Sequence, residues 1–343
     1  MKDVLVIGSA TRDLFFEGVP FVEVKTNKFK VGKGIALPYA GKVKVPKITF
    51  TIGGGGANVA VTFARQGYDT TCISCVGDDG SGREIIDKLI NEKIDAKYFQ
   101  ISKKDITAYS TIFLDNKGER TILSHKGAGD EISEKEIPWG GKIKANWMYL
   151  SSLAGNKNLL MKAVNFAAKN KMFLATNPGM GELKNFRLMP RLLKRFDVFV
   201  LNQEEASYLA DVPYKDEKKL FRRLDDLIEG LVVMTKGPKG LTISDGKHMW
   251  QVGTYKEKKV VDRTGAGDSF ASGFVSAFVG KKLKKVGNRS VFEEKDIEEA
   301  IKLGSANATS VVEHVGAQTG ILRKDDFKDK RWDDLSIKKI EII

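Results

Sequence analysis

From residue 145 onward the chain alternates short apolar runs with amphipathic helical segments, and this alternation constrains the fold more than any other feature. WMYLSS (147–152), MFLATNP (172–178), DVFVLN (197–202) and LVVMTKG (231–237) read as strands. LLMKAVNFAAKN (159–170), EEASYLA (204–210) and KKLFRRLDDLIEG (218–230) read as helices between them. Strands joined through helices pair in parallel, and strands this apolar need cover on both faces. LTISDGKHMWQV (241–252) then folds back as a hairpin through Asp245-Gly246, and long helices are expected over 268–280 and 293–312, with Gly304 a weak point in the second. The pattern predicts an α/β fold, a three-layer α/β/α sandwich around a mainly parallel sheet.

The first 145 residues mix two habits. KDVLVI (2–7) reads as a buried strand, and ANVAVTFAR (57–65) and SGREIIDKLINE (81–92) as helices. Residues 14–50 and 109–123 instead hold alternating runs such as FVEVK and YSTIFL, which predict antiparallel ribbon; Asn116-Lys117-Gly118 is the expected turn of the second ribbon. The organisation expected is one discontinuous α/β domain (1–13, 51–105 and 126–325), a small β lid (14–50 and 106–125) and a charged, peripheral C-terminal extension (326–343).

Composition narrows the function classes. A chain of 343 residues with 42% hydrophobic content can bury a large core. It has no apolar run long enough for a transmembrane helix, and MKDVLVIGSATRD lacks the sections of a signal peptide, so no membrane role and a cytoplasmic location are expected. The net charge of +13 comes from lysines scattered along the chain without interleaved aromatics, which suits a solubilising surface with some attraction for anionic substrates and predicts no nucleic-acid partner. Cys72 and Cys75 form a C-x-x-C, either a redox pair or two small apolar strand residues; in a strand, positions three apart face opposite sides, which favours the second. His125, His248 and His314 fall in no motif.

The chemistry concentrates in VVDRTGAGDSF (260–270), where a strand gives way to a small-residue turn and an apolar helix. A helix start offers unpaired N–H groups and the positive end of a dipole, and Gly265, Ala266 and Gly267 leave those groups accessible to an anion. Asp268 stands at the same place, as an N-cap or as a catalytic carboxylate. The run Gly53–Gly56 before Asn58 lets backbone approach a ligand, or is a flexible loop with a capping Asn. Neither a Walker pattern nor a G-x-G-x-x-G after the first strand is present.

These segments resemble the ribokinase-like (PfkB) carbohydrate kinases. Asp262-Arg263-Thr264-Gly265-Ala266-Gly267-Asp268 is similar to the family's D-T-x-G-A-G-D, and Gly53 to Ala60 to its N-terminal glycine signature. Asn202-Gln203-Glu204-Glu205 resembles its N-x-x-E, and Thr235 to Gly240 its T-x-G-x-x-G; the four occur in family order over roughly residues 1–325. The resemblance implies the ribokinase-like sandwich with a β lid, and transfer of the γ-phosphoryl group of ATP to a primary hydroxyl. It implies Asp268 as general base, Gly265-Ala266-Gly267 as anion hole, and Asp13, Gly54 and Asn58 on the acceptor. Asn202 and Glu205 would position Mg²⁺ and phosphate, mostly through water. Thr235, Gly237, Gly240 and Asn307 would line the nucleotide side, with Gly316 and Ala317 nearby. Backbone oxygens of Asp262 and Thr264 would be candidates for a monovalent cation such as K⁺, and a homodimer through the lid is implied by relatives. Thr11, Gly55 and Ser151-Ser152 depart from ribokinase itself, leaving open a sugar, a sugar phosphate held by Arg12, Arg187 or lysines of the lid, or a nucleoside; a non-catalytic sensor on the same scaffold is the competing class.

Overall fold

A computed structural model describes residues 2–29, 31–115, 119–286 and 289–341. Nine strands form the central sheet, in the order Ile337–Glu341, His248–Val252, Leu241–Ser244, Leu231–Thr235, Val198–Asn202, Phe173–Thr176, Ala145–Leu150, Lys2–Ile7 and Thr70–Ile73. From Leu231–Thr235 to Thr70–Ile73 every pairing is parallel; the remaining three strands join antiparallel. Alternation along each strand divides the core in two. Val4, Val6, Val198 and Val200 pack with one set of helices, whereas Leu5, Ile7, Phe199 and Leu201 pack with the other. Helices Gly55–Arg65, Gly80–Asn91, Ala266–Ser276 and Glu294–Val312 cover the first face; Lys157–Lys169, Met180–Leu188, Gln203–Ala210 and Glu217–Leu227 cover the second. The three-layer α/β/α sandwich is thus present.

Cys72 and Cys75 are free and buried in opposite core clusters, with the strand interrupted between them at Ser74. Burial pushes both thiols up, to about 12 and about 11, so neither is poised for redox chemistry. Gly304 does not interrupt the last long helix. A Cβ there would meet the Phe270 carbonyl at 2.8 Å, so the glycine allows helices Ala266–Ser276 and Glu294–Val312 to pack closely.

The lid is a second sheet, ordered Arg120–His125, Tyr109–Leu114, Thr11–Glu17 and Lys47–Gly53. It is not two separate antiparallel ribbons. Thr11–Glu17 pairs antiparallel with Lys47–Gly53 but parallel with Tyr109–Leu114, which the long excursion through two helices permits. The expected turn at Asn116-Lys117-Gly118 lies outside the described residues. Asp13, expected in the loop after the first strand, sits inside a lid strand opposite Thr51. The C-terminal segment is integrated rather than peripheral: Trp332 is buried in the core and Ile337–Glu341 adds the outermost strand of the main sheet. No helix among the described residues is long and apolar enough to cross a membrane.

Candidate active site

The turn Arg263–Gly267 is fixed before its chemistry begins. Asp262 is fully buried; its Oδ1 accepts from the Thr264 N–H (2.9 Å) and hydroxyl (2.7 Å), and its Oδ2 accepts from the Gly316 N–H (3.0 Å). Gly265 adopts φ 77°, and a Cβ there would lie 2.4 Å from that of Ala317, so the turn tolerates no side chain. Helix Ala266–Ser276 starts from this left-handed cap. The Ala266 N–H makes only a long 3.4 Å contact to the Arg263 carbonyl; among the described residues the N–H groups of Gly265, Gly267 and Asp268 have no acceptor. A cluster of free amides at a helix start favours negative charge.

Asp268 is half-buried at this start, and its carboxylate is gripped from two sides. Asn58 Nδ2 donates to Oδ2 (3.0 Å) and Asn177 Nδ2 donates to Oδ1 (2.7 Å). Burial raises the Asp268 pKa above its ordinary value while the two amide donors pull it back. Asn58 was expected on the acceptor; here its other end is also engaged, accepting from Gln318 Nε2 (3.2 Å). Asn177, the second group on this carboxylate, was not singled out in the sequence. The available signal was Asn-Pro at the C-terminal end of strand Phe173–Thr176, the usual ligand edge of such a sheet. Gly55 lies just below: a Cβ there would sit 2.1 Å from Ser151 Oγ and 3.5 Å from Asp268 Oδ1. Gly54 caps helix Gly55–Arg65 against Ser9 and Ala10.

Asp13 is 3% exposed, and its Oδ1 has no partner among the described residues. Burial lifts its carboxyl to about 6, opposed by the hydroxyls of Ser110 and Thr11. A buried acceptor atom left unpaired in this way has room for a donor from water or a ligand.

On the far side of the turn opens a cavity of about 540 Å³, lined by Asn202, Thr235, Gly237, Gly240, Ala266 and Gly267 among others. Its size is that of a small-molecule site. A Cβ on Gly267 would meet nothing within 4 Å, so this glycine fronts open space. Asn202 and Glu205 form a reciprocal capping box at 2.9 and 2.8 Å, and burial raises the Glu205 carboxyl with Asp268 adding to the effect. Asn307 does not reach the cavity. It is fully buried, donating to the Ser269 carbonyl (2.8 Å) and accepting from the Leu322 N–H (2.9 Å); Ser305, Ala308 and Thr309 of the same helix face the cavity instead. Arg120 of the lid and Arg263 also line it.

A doubly covered parallel sheet, with a carboxylate and free amides at one helix start in front of a nucleotide-sized cavity, defines an α/β phosphotransferase. The model of the pfkB family carbohydrate kinases matches residues 1–324, and the chain belongs to that family. It is 28% identical over 326 residues to the ribokinase of Haemophilus influenzae, covering 93% of this chain and 95% of that protein. It is 26% identical over 326 residues to the nucleoside kinase of Methanocaldococcus jannaschii, with 94% of each chain covered. The structure of Arabidopsis thaliana ribokinase complexed with ribose and ATP superposes with a TM-score of 0.73 at 20% identity, covering 97% and 99% of the two chains. The protein is therefore a kinase of the sugar or nucleoside type, with a hydroxyl group as acceptor.

Proposed function

We propose that this kinase transfers the γ-phosphoryl group of ATP to a primary hydroxyl of an uncharged sugar or nucleoside, in the cytoplasm, with Asp268 as general base. The observation that carries the reading is the Asp268 carboxylate held at a helix start with three N–H groups without acceptors, where Ala266 and Gly267 of the same turn line the cavity. The acceptor hydroxyl gives its proton to Asp268 as its oxygen attacks phosphorus in line, and the amides of Gly265 to Asp268 offset charge on the transferring oxygens. Asp13, buried with an unpaired Oδ1, grips other hydroxyls of the acceptor beside Gly54. Nucleotide phosphates and ribose lie along Thr235, Gly237 and Gly240.

Mg²⁺, when bound, neutralises phosphate charge. The oxygen donors Glu205 and Asn202 suit such a hard ion; among the described residues no group of three or more His, Cys, Asp or Glu is placed to cage one, so the ion would enter with the phosphates and water. Carbonyl oxygens of Asp262 and Thr264 are the candidates for K⁺. Of the cations expected to hold a sugar-phosphate acceptor, the two arginines are committed elsewhere, which favours an uncharged one. Arg12 pairs with Glu84 (2.6 Å) and stacks over Phe50, and Arg187 pairs with Asp211 (3.6 Å) over Tyr208. The lid's exposed apolar positions, including Phe50 and Leu123, are proposed to meet a second copy of the chain.

The test is ATP consumption over a panel of sugars, sugar phosphates and nucleosides, with Asp268→Asn as control. Turnover on a neutral acceptor that the variant abolishes supports the reading. Absence of turnover on every member, with ATP bound, would leave a sensor instead.

A further inference from the structure

We propose that Tyr149 and Asn177 form a keyed clamp that positions Asp268, with the buried phenol fixing which end of the Asn177 amide meets the carboxylate. The inference deepens the proposed function, since it takes Asp268 as the base, but its geometry stands apart from the acceptor's identity.

An asparagine beside a carboxylate is ambiguous. Its NH₂ end attracts the negative oxygen, while its carbonyl end repels it, and the two ends have nearly the same shape. At Asn177 the choice is made from behind. The amide donates to Asp268 Oδ1 at 2.7 Å, and its own Oδ1 accepts from the Tyr149 hydroxyl at 3.0 Å. Tyr149 is fully buried in strand Ala145–Leu150, with its ring edge-on to Phe63 at 5.8 Å. That strand is in register with Phe173–Thr176, Tyr149 opposite Ala175, so the key stands on one strand and the amide directly past the end of the adjacent one. The phenol stays protonated because burial and the Asp268 charge both push its pKa well above the ordinary value. With one proton to give, aimed at Asn177 Oδ1, it leaves the NH₂ end for Asp268.

The other carboxylate oxygen is treated in parallel. Asn58 donates to Oδ2, and its carbonyl end is occupied by Gln318. Sheet and helix Gly55–Arg65 therefore hold the base from opposite sides, each through an amide with its orientation fixed. Both donors are neutral, so they favour the ionised, proton-accepting form without competing as a permanent counter-charge. The titratable groups facing Asp268 are the Glu205 carboxyl, from helix Gln203–Ala210, and the Tyr149 phenol; among the described residues no Lys or Arg pairs with it.

The proposal is tested on the full chain without acceptor, by ¹³C carboxyl titration of Asp268, its resonance assigned by loss in Asp268→Asn. Asn177→Leu is expected to raise the midpoint by about one pH unit, and Tyr149→Phe, which keeps the ring and its packing, by about half as much. The double variant should match Asn177→Leu alone, because the hydroxyl acts only through the amide. With an accepted substrate, Tyr149→Phe should lower kcat about five- to tenfold, leave the KM for ATP within about twofold and move the acid limb of the pH profile upward. A Tyr149→Phe midpoint equal to wild type, or additive shifts in the double variant, would overturn the clamp, and so would a lowered Tm with an unmoved midpoint. If no acceptor is ever phosphorylated, the kinase mechanism falls while the titration still decides the clamp.

Discussion

The two sides of Asp268 are built by opposite rules. Toward the sheet, the groups that grip the carboxylate are themselves held: Asn58 and Asn177 donate to it, Gln318 and Tyr149 hold them, and all four come from buried or half-buried positions. Toward the cavity, the groups are bare: amides without acceptors, a glycine facing open space, and threonine and glycine walls. In the proposed mechanism the base keeps one position in every turnover, which suits surroundings hydrogen-bonded like a core. The phosphoryl group of that mechanism arrives and leaves, which suits surroundings that withhold their bonds until it is present.

The largest effect expected on this contrast is at the carboxylate itself. Asp268→Asn should cut kcat by about 10³-fold while ATP affinity by calorimetry changes little; near-normal turnover would erase the distinction between the two sides. Next come two glycines of one turn given the same methyl group. Gly265→Ala forces a side chain at φ 77° into Ala317 and should lower stability by about 1–3 kcal/mol, read as a drop in Tm. Gly267→Ala enters open space at a helical position, so its Tm should hold while turnover falls about tenfold through crowding of the phosphoryl group. Equal melting losses in the two would show that the rim is as tightly built as the floor.

Asp13 gives a pH signature. Its carboxyl is lifted from 3.8 to about 6, so the folded state holds the proton more tightly than the unfolded chain. Stability therefore falls as pH rises from roughly 4 through 6, and the cost, about 3 kcal/mol at most, is complete above that window. Asp13→Asn should melt higher than wild type at pH 8, with the gain vanishing by pH 4, and should raise the KM for the acceptor. A gain independent of pH would mean that the buried carboxylate is not strained by ionisation. The smallest effect belongs to the cavity wall: Thr235→Val, whose hydroxyl now bonds only the Leu201 carbonyl at 3.3 Å, should raise the KM for ATP about threefold.

Most of the sandwich was legible because its signals are local. Strand and helix periods, the Asp245-Gly246 hairpin and the glycine-rich turns each lie within a dozen residues, and the structure places Leu241–Ser244 and His248–Val252 on either side of that hairpin. What escaped was set by distance along the chain. Nothing local says that Thr11–Glu17 will pair parallel with Tyr109–Leu114, or that Ile337–Glu341 will close the sheet edge after a charged stretch.

The site divides in the same way. Residue types and spacing alone determined the small-residue turn at a helix start, the acid beside it and the absence of a Walker cradle, because a helix start and small side chains act within one turn of chain. Only the tertiary structure decided which groups meet that acid. Asn58, Tyr149, Asn177 and Asp268 are brought together from an early helix, one sheet strand, the loop that follows its neighbour and a late helix. It also decided that Asn307, equally polar in sequence, is buried as a tie between helix and loop. A side chain's donor and acceptor capacity is fixed by its chemistry, but which capacity remains free for a ligand is known only after every neighbour has taken its share.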